Sequence, residues 1–266
     1  MFGTGDFLGG LAARRTRVLA VLVVSHALGL AGLVAVSAII GGNPTGSDLI
    51  AGAIGGIGGG AGVAMLYRGL ALGTMALVAP VTGVVAAFIP VVYGAATGER
   101  PSPVQYSGVV LALVAVALIS RTRRATGTPL RGVVLLLAIG SGAAFGLFYI
   151  ALAKTSASAG LWPLVTARSA SLSAFVLASA IARQRPRATR ATLMLILAVG
   201  VFDVTANALY LVAVHHGLLS IVAVLVSLYP AATVLCALVV LRERLRLWQI
   251  VGVAVALVAV VLITAG

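Results

Sequence analysis

Acid is scarce in this chain. Asp6, Asp48, Glu99, Asp203 and Glu243 are its only carboxylate side chains, set against 18 basic ones that are all arginine except Lys154. Charged residues make up 9% of the 266, against about 25% in a soluble domain. A single cysteine, Cys236, excludes an intramolecular disulfide and any cysteine metal cluster. Histidine is as sparse: His26, His215 and His216 form no H-E-x-x-H spacing, and no G-x-S-x-G turn occurs. An intramembrane enzyme acting on lipid would need a nucleophile and base or a metal set, and the sequence offers neither. The short alternating segments of a membrane β-barrel are missing as well.

What remains is apolar. Hydrophobic residues are 61% of the chain and the mean hydropathy is +1.19, a composition that only a lipid solvent makes sensible. The fold class expected is therefore an all-α integral membrane protein. A span needs about 20 apolar residues to cross roughly 30 Å of hydrocarbon. Candidate spans fall at 2–13, 18–40, 49–71, 74–97, 104–120, 132–153, 160–182, 191–213, 217–241 and 247–265, about ten transmembrane helices, five per half. The first is short, about 18 Å at 1.5 Å per residue, and a further turn or two upstream of it is expected.

A net charge of +13 raises the question of nucleic acid, and its placement answers it. Arginines cluster in the gaps between apolar runs, as in Arg14-Arg15-Thr16-Arg17 and Arg183-Gln184-Arg185-Pro186-Arg187. That is the positive-inside bias of a membrane protein, and no soluble basic surface exists to bind nucleic acid. The arginine-rich gaps follow spans one, five, seven and nine, which puts them on one side, the cytoplasm, and both termini on the other.

The chain also contains itself twice. Residues 73–120 and 217–264 align without a gap, pairing Gly73 with Gly217, Val78-Ala79 with Val222-Ala223 and Glu99-Arg100 with Glu243-Arg244. Gln105 then meets Gln249 and Gly108 meets Gly252. Internal repeats in an apolar chain mark many secondary transporters. The division expected is a first repeat over 1–121 and a second over 130–266. Five helices per repeat is an odd number, so the second copy is inverted relative to the first.

Within the spans, polar and helix-breaking residues single themselves out. Asp203 stands in the eighth with Asn207 one turn later on the same face. An Asp near the bilayer centre costs about 2.5–3.5 kcal/mol on insertion scales, so it needs a partner or water, and Arg168 in the seventh span is the evident partner. The pair is either a structural one or part of a polar cavity touching a substrate or a coupling proton. Asp6 in the first span poses the same question at an undetermined depth. Pro80 and Pro90 fall in the fourth span, Pro163 in the seventh and Pro230 in the ninth, each removing a backbone hydrogen bond. Tyr229, Tyr210 and Trp162 either line a cavity or anchor at the interface. Gly52, Gly56 and Gly60, with Gly55 and Gly59, give the third span small-residue faces for close helix packing.

Several of these residues carry a resemblance. Ala79-Pro80 with Glu99-Arg100 and Gly108, and Ser227-Leu228-Tyr229-Pro230 with Arg242-Glu243-Arg244, Gln249 and Gly252, resemble the EamA-type transporters of the drug/metabolite transporter superfamily. Arg168 and the run Ala206-Asn207-Ala208-Leu209-Tyr210 with Ala213 and Gly217 are similar to that family too. The resemblance covers essentially the whole chain. It implies two inverted five-helix repeats around a central cavity, moving small metabolites or drugs, often outward, across the cell inner membrane. It also implies cytoplasmic termini, opposite to the arginine count. The expectation is thus a secondary transporter and not an enzyme, without cofactor or metal, using a small-molecule substrate and a proton as coupling ion, in the lipid bilayer as a monomer or homodimer. The site residues expected are Asp203, Asn207, Arg168 and Tyr229, then Pro230, Tyr210, Trp162, Asp6 and Pro80. A non-transporting membrane scaffold is the alternative, and it would have an apolar interior.

Overall fold

The computed structural model describes residues 1–73, 75–119, 132–183, 189–229, 231–233, 236 and 247–265. They are helical with no strand among them: α1 (Phe2–Arg15), α2 (Val18–Ile40), α3 (Gly46–Leu72), α4 (Met75–Ala96), α5 (Pro103–Ile119), α6 (Gly132–Ala153), α7 (Trp162–Ile181), α8 (Arg190–His216), α9 (Leu219–Val226) and α10 (Leu247–Ala265). Five stretches are long and apolar enough to cross a membrane: Val18–Ile40, Gly46–Leu72, Gly132–Ala153, Trp162–Ile181 and Thr192–His216. With α1 at 14 residues, or about 21 Å, the first helix stays shorter than the hydrocarbon layer.

Turn chemistry sets where these helices stop. α2 ends at Gly41, whose φ of +80° suits glycine, and α3 opens on Thr45 as N-cap. Thr45 and Asp48 form a reciprocal capping box. Pro163 is a difference from the sequence reading. It lies in the first turn of α7, where its missing N–H is an orphan anyway and no kink follows. Pro80 and Pro90 both fall within α4.

Glycine decides how the helices meet. Gly52, Gly56 and Gly60 of α3 lie against Pro163, Ala167 and Ser171 of α7. Gly55, Gly59 and Gly62, the neighbouring stripe, lie against Ala151, Phe148 and Phe145 of α6. The opposite face of α3 carries Ile50, Ile54 and Ile57, each more than half exposed, which is the face for lipid. One helix is thus wedged between two others by backbone proximity, the packing mode available where no hydrophobic drive exists between helices. Around it α1 rests on α8, α2 on α7 and α8, α4 on α6 and α9, and α5 on α10.

The two ends of the bundle differ in chemistry. At one, Arg14 donates to the carbonyls of Leu70 and Gly73, both at 3.3 Å, closing the C-terminal end of α3 with a cation. At the other, the connections between alternate helices tie to each other. The Asp48 carboxylate accepts from the Ser156 N–H (2.7 Å) and hydroxyl (2.9 Å). Asn43 N–H donates to Ser158 at 2.8 Å, and Thr155 pairs with His215 at 3.3 Å. Glu99 accepts from the N–H groups of Leu219 (2.8 Å) and Ser220 (3.0 Å), capping α9 across the chain.

Gly56→Ala places a Cβ on the backbone of Ala167 and should lower stability by about 1–3 kcal/mol. Gly58→Ala, whose Cβ meets only the Ala144 carbonyl at 3.6 Å, should be neutral or stabilising by up to about 1 kcal/mol. Thermal melts of the two variants in one detergent check this, and equal effects would argue against the wedge.

Candidate functional site

Where α1, α2, α3, α6, α7 and α8 converge, the packing leaves a cavity of about 50 Å³. Its walls are largely apolar, with Phe2, Leu33, Val63, Phe145, Phe148 and Leu164 among them. The glycines of α3 form part of the wall too, so the same stripe that lets α7 approach also leaves room. Into this apolar chamber project Asp6, His26, Arg168, Asp203 and Asn207.

Arg168 and Asp203 form an ion pair, a single one among the described residues. The Arg168 side chain is 10% exposed and that of Asp203 27%. Gly29 of α2 lets that helix close on Val204 of α8, beside the guanidinium. Asn207, one helical turn beyond Asp203, donates from Nδ2 to the Asp203 carbonyl (2.8 Å) and to its Oδ1 (3.2 Å). Asp203 is therefore held from two sides, by a cation on α7 and an amide on its own helix. A buried charge is tolerable only on such terms.

The remaining polar groups are less occupied. Oδ1 of Asn207 is buried with no hydrogen-bond partner among the described residues. Asp6 reaches the chamber where α1 packs on α8, with Gly5 beside Phe202 and Asp203. His26 is 5% exposed, sits edge-on to Phe175 at 4.9 Å and pairs with the Ser25 hydroxyl at 3.4 Å.

Of the other residues singled out in the sequence, Tyr229 lines the chamber and donates to the Ala79 carbonyl of α4 at 3.1 Å. Tyr210 stands one layer behind, fully buried. Its hydroxyl donates to the Tyr149 carbonyl at 3.0 Å and its ring packs on that of Tyr149 at 4.6 Å. Trp162 is apart from the void and packs beside Gly42 at the bundle end. Pro80 belongs to α4, but its side chain is outside the described residues, and Pro230 is outside them altogether. Sequence reasoning missed Phe148, Tyr149 and Ser171 as wall residues, since nothing distinguishes them from ordinary core. It also missed the Asp48 clasp, for which Thr45-x-x-Asp48, a capping-box pattern, was a usable signal.

The sequence profile of the EamA-like transporter family matches residues 132–265, just over half of the chain. The chain belongs to the EamA-like transporter family. It is accordingly a multi-pass membrane protein of the drug/metabolite transporter type, a class that acts on small molecules and not as enzymes. No curated protein matches the sequence. A solved structure, titled only "Crystal structure of protein", is similar in fold with a TM-score of 0.75 at 16% identity, over 99% of this chain and 94% of that one. At that identity the likeness concerns the fold alone.

Removing either member of the central ion pair from this EamA-like transporter strands the other. Arg168→Leu or Asp203→Leu alone should lower stability by roughly 2–3 kcal/mol, somewhat under the range for a fully buried pair because Asp203 keeps access to the void. The double variant should recover most of the loss. Thermal melts in detergent check this, and simple additivity of the two losses would argue against a coupled pair.

Proposed function

We propose that this EamA-like transporter is a secondary carrier that moves a small molecule through the chamber by alternating access, outward across the cell inner membrane. The carrying observation is the ion-paired polar group in an apolar void walled by helices of both halves. Asp6 and His26 come from the first half, Arg168, Asp203 and Asn207 from the second. A scaffold has no use for so unfavourable an interior.

In this reading residues 1–121 and 130–266 are two inverted repeats, ten spans in all. The pattern of packing supports it. The packed pairs α2 with α7, α4 with α9 and α5 with α10 are each a helix against its own repeat image, and α1 on α8 is the image of α6 on α3. A two-fold relation between halves produces such a set. Rocking of one half against the other about a midplane site is the motion such an arrangement permits.

Charge sets the orientation. The end bearing Arg14, Arg15, Arg17, Arg183 and Arg190 faces the cytoplasm, and the end clasped by Asp48 and Glu99 faces outward. Glu99 then closes the outer end by capping α9.

Asp203 serves as the proton-exchanging group, released from Arg168 when the halves rock. The medium of an overexpressing strain should hold more of some small molecule than that of a deletion strain. In vesicles Asp203→Asn should then abolish movement of that molecule driven by a pH gradient while preserving its counterflow. Unchanged gradient-driven movement removes Asp203 from the coupling.

Alternating access has a separate check. In a Cys236→Ser background, a cysteine in place of Ser171 on the chamber wall should react with a membrane-impermeant thiol reagent from either face. Glu99→Gln, with the outer cap weakened by about 0.5–2 kcal/mol, should favour labelling from the outer face. Labelling from one face under every gradient would overturn the mechanism.

A further inference from the structure

The chamber's unused polar groups point to the chemistry of what fills it. Asn207 is 5% exposed, and its Oδ1 is buried without a hydrogen bond among the described residues. Its orientation is fixed: Nδ2 donates to two oxygens of Asp203, and a flipped amide would set oxygen against oxygen. The orphan is therefore an acceptor. A buried acceptor left empty is penalised by its lost solvation, so it marks a place for a donor.

Asp6 adds charge to that demand. It lines the same void and makes no hydrogen bond or ion pair among the described residues, where the ion pair is that of Arg168 with Asp203. Asp203 and the amino group of Met1 are the charges that bear on it, and Met1 is itself 56% exposed. Arg168 is committed to Asp203, and the His26 ring to Ser25. What the chamber offers a ligand is one carboxylate, one amide oxygen and the rings of Phe2, Phe148, Tyr149 and Tyr229. Among the described residues lining it, the one permanent cation, Arg168, is already neutralised by Asp203. Aromatic faces carry negative potential and favour a cation over them.

We infer that the substrate is a protonated amine on an apolar or aromatic body, its ammonium bound between Asp6 and the Oδ1 of Asn207 and its body against the aromatic wall. The inference rests on the transport reading of this chamber. It assigns Asp6 and Asn207 to the substrate, leaving the Arg168–Asp203 pair to the proton.

Phenethylamine, 2-phenylethanol and phenylacetate share a ring and a two-carbon reach and differ in charge, so they make a matched set. Equilibrium binding to the purified full chain in detergent should rank the amine at least about tenfold tighter than the alcohol, which brings one donor and no charge, with the acid weakest, since it brings no donor and a negative charge. Asp6→Asn should bring the amine down to the alcohol, whereas Asp6→Glu should keep the preference. If Asp6→Asn does not fold, the wild-type ratio and Asp6→Glu remain decisive. A wild-type ratio near one, tighter binding of the acid, binding of none of the three, or a preference that survives Asp6→Asn overturns the inference. Movement of phenylacetate across proteoliposomes would do so as well and leave the transport reading standing. Amine binding with no movement of any of the three does the reverse.

Discussion

A guanidinium and a carboxylate held together in a space walled by phenylalanine are what the interior of this bundle is built around. Neither Arg168 nor Asp203 is tolerable there alone, and their union is possible only where α7 and α8 are held at a fixed distance. That distance is set by α2 and α3, which contribute glycine at the contacts instead of side chain. Gly29 brings α2 onto Val204 of α8, and Gly56 brings the backbone of α3 onto α7. The polar centre and the small-residue faces are thus one construction: lipid gives helices no reason to associate by burial, so the close approach and the charge pair do it together.

Much of this could be read before any coordinates. Hydrocarbon demands long apolar helices, so the spans stood out wherever charge vanished for twenty residues. The Arg168–Asp203 meeting was legible for the same reason, since an ionisable group in lipid needs a partner and few candidates existed. The two glycine stripes of α3 showed that it would be gripped on two sides. Asn207 followed from helical spacing alone.

The rest depends on the rotation of helices about their own axes, which apolar sequence leaves almost free. Phe148 and Phe175 are alike in composition, yet the first lines the void and the second backs His26. Tyr210 and Tyr229 both looked like wall residues, and only Tyr229 is one. Trp162 was placed by the helix start at Pro163, which moved it to the bundle end. Asp6 reached the centre through the packing of α1 on α8, a contact no pattern along the chain announces. Asp48 had a legible cap, but its hold on Ser156 joins residues 108 apart.

That hold has a bearing on kinetics. The loops carrying Gly41 and Gly160 cross so tightly that both need left-handed backbone, with φ of +80° and +59°, and Asp48 rivets them together. One loop lies in residues 1–121 and the other in 130–266, so the rocking motion proposed above must either turn about this rivet or break it. On that proposal, the carrier's turnover is governed at a seam apart from the chamber. Changes that quicken or stall it can arise there without altering what it carries.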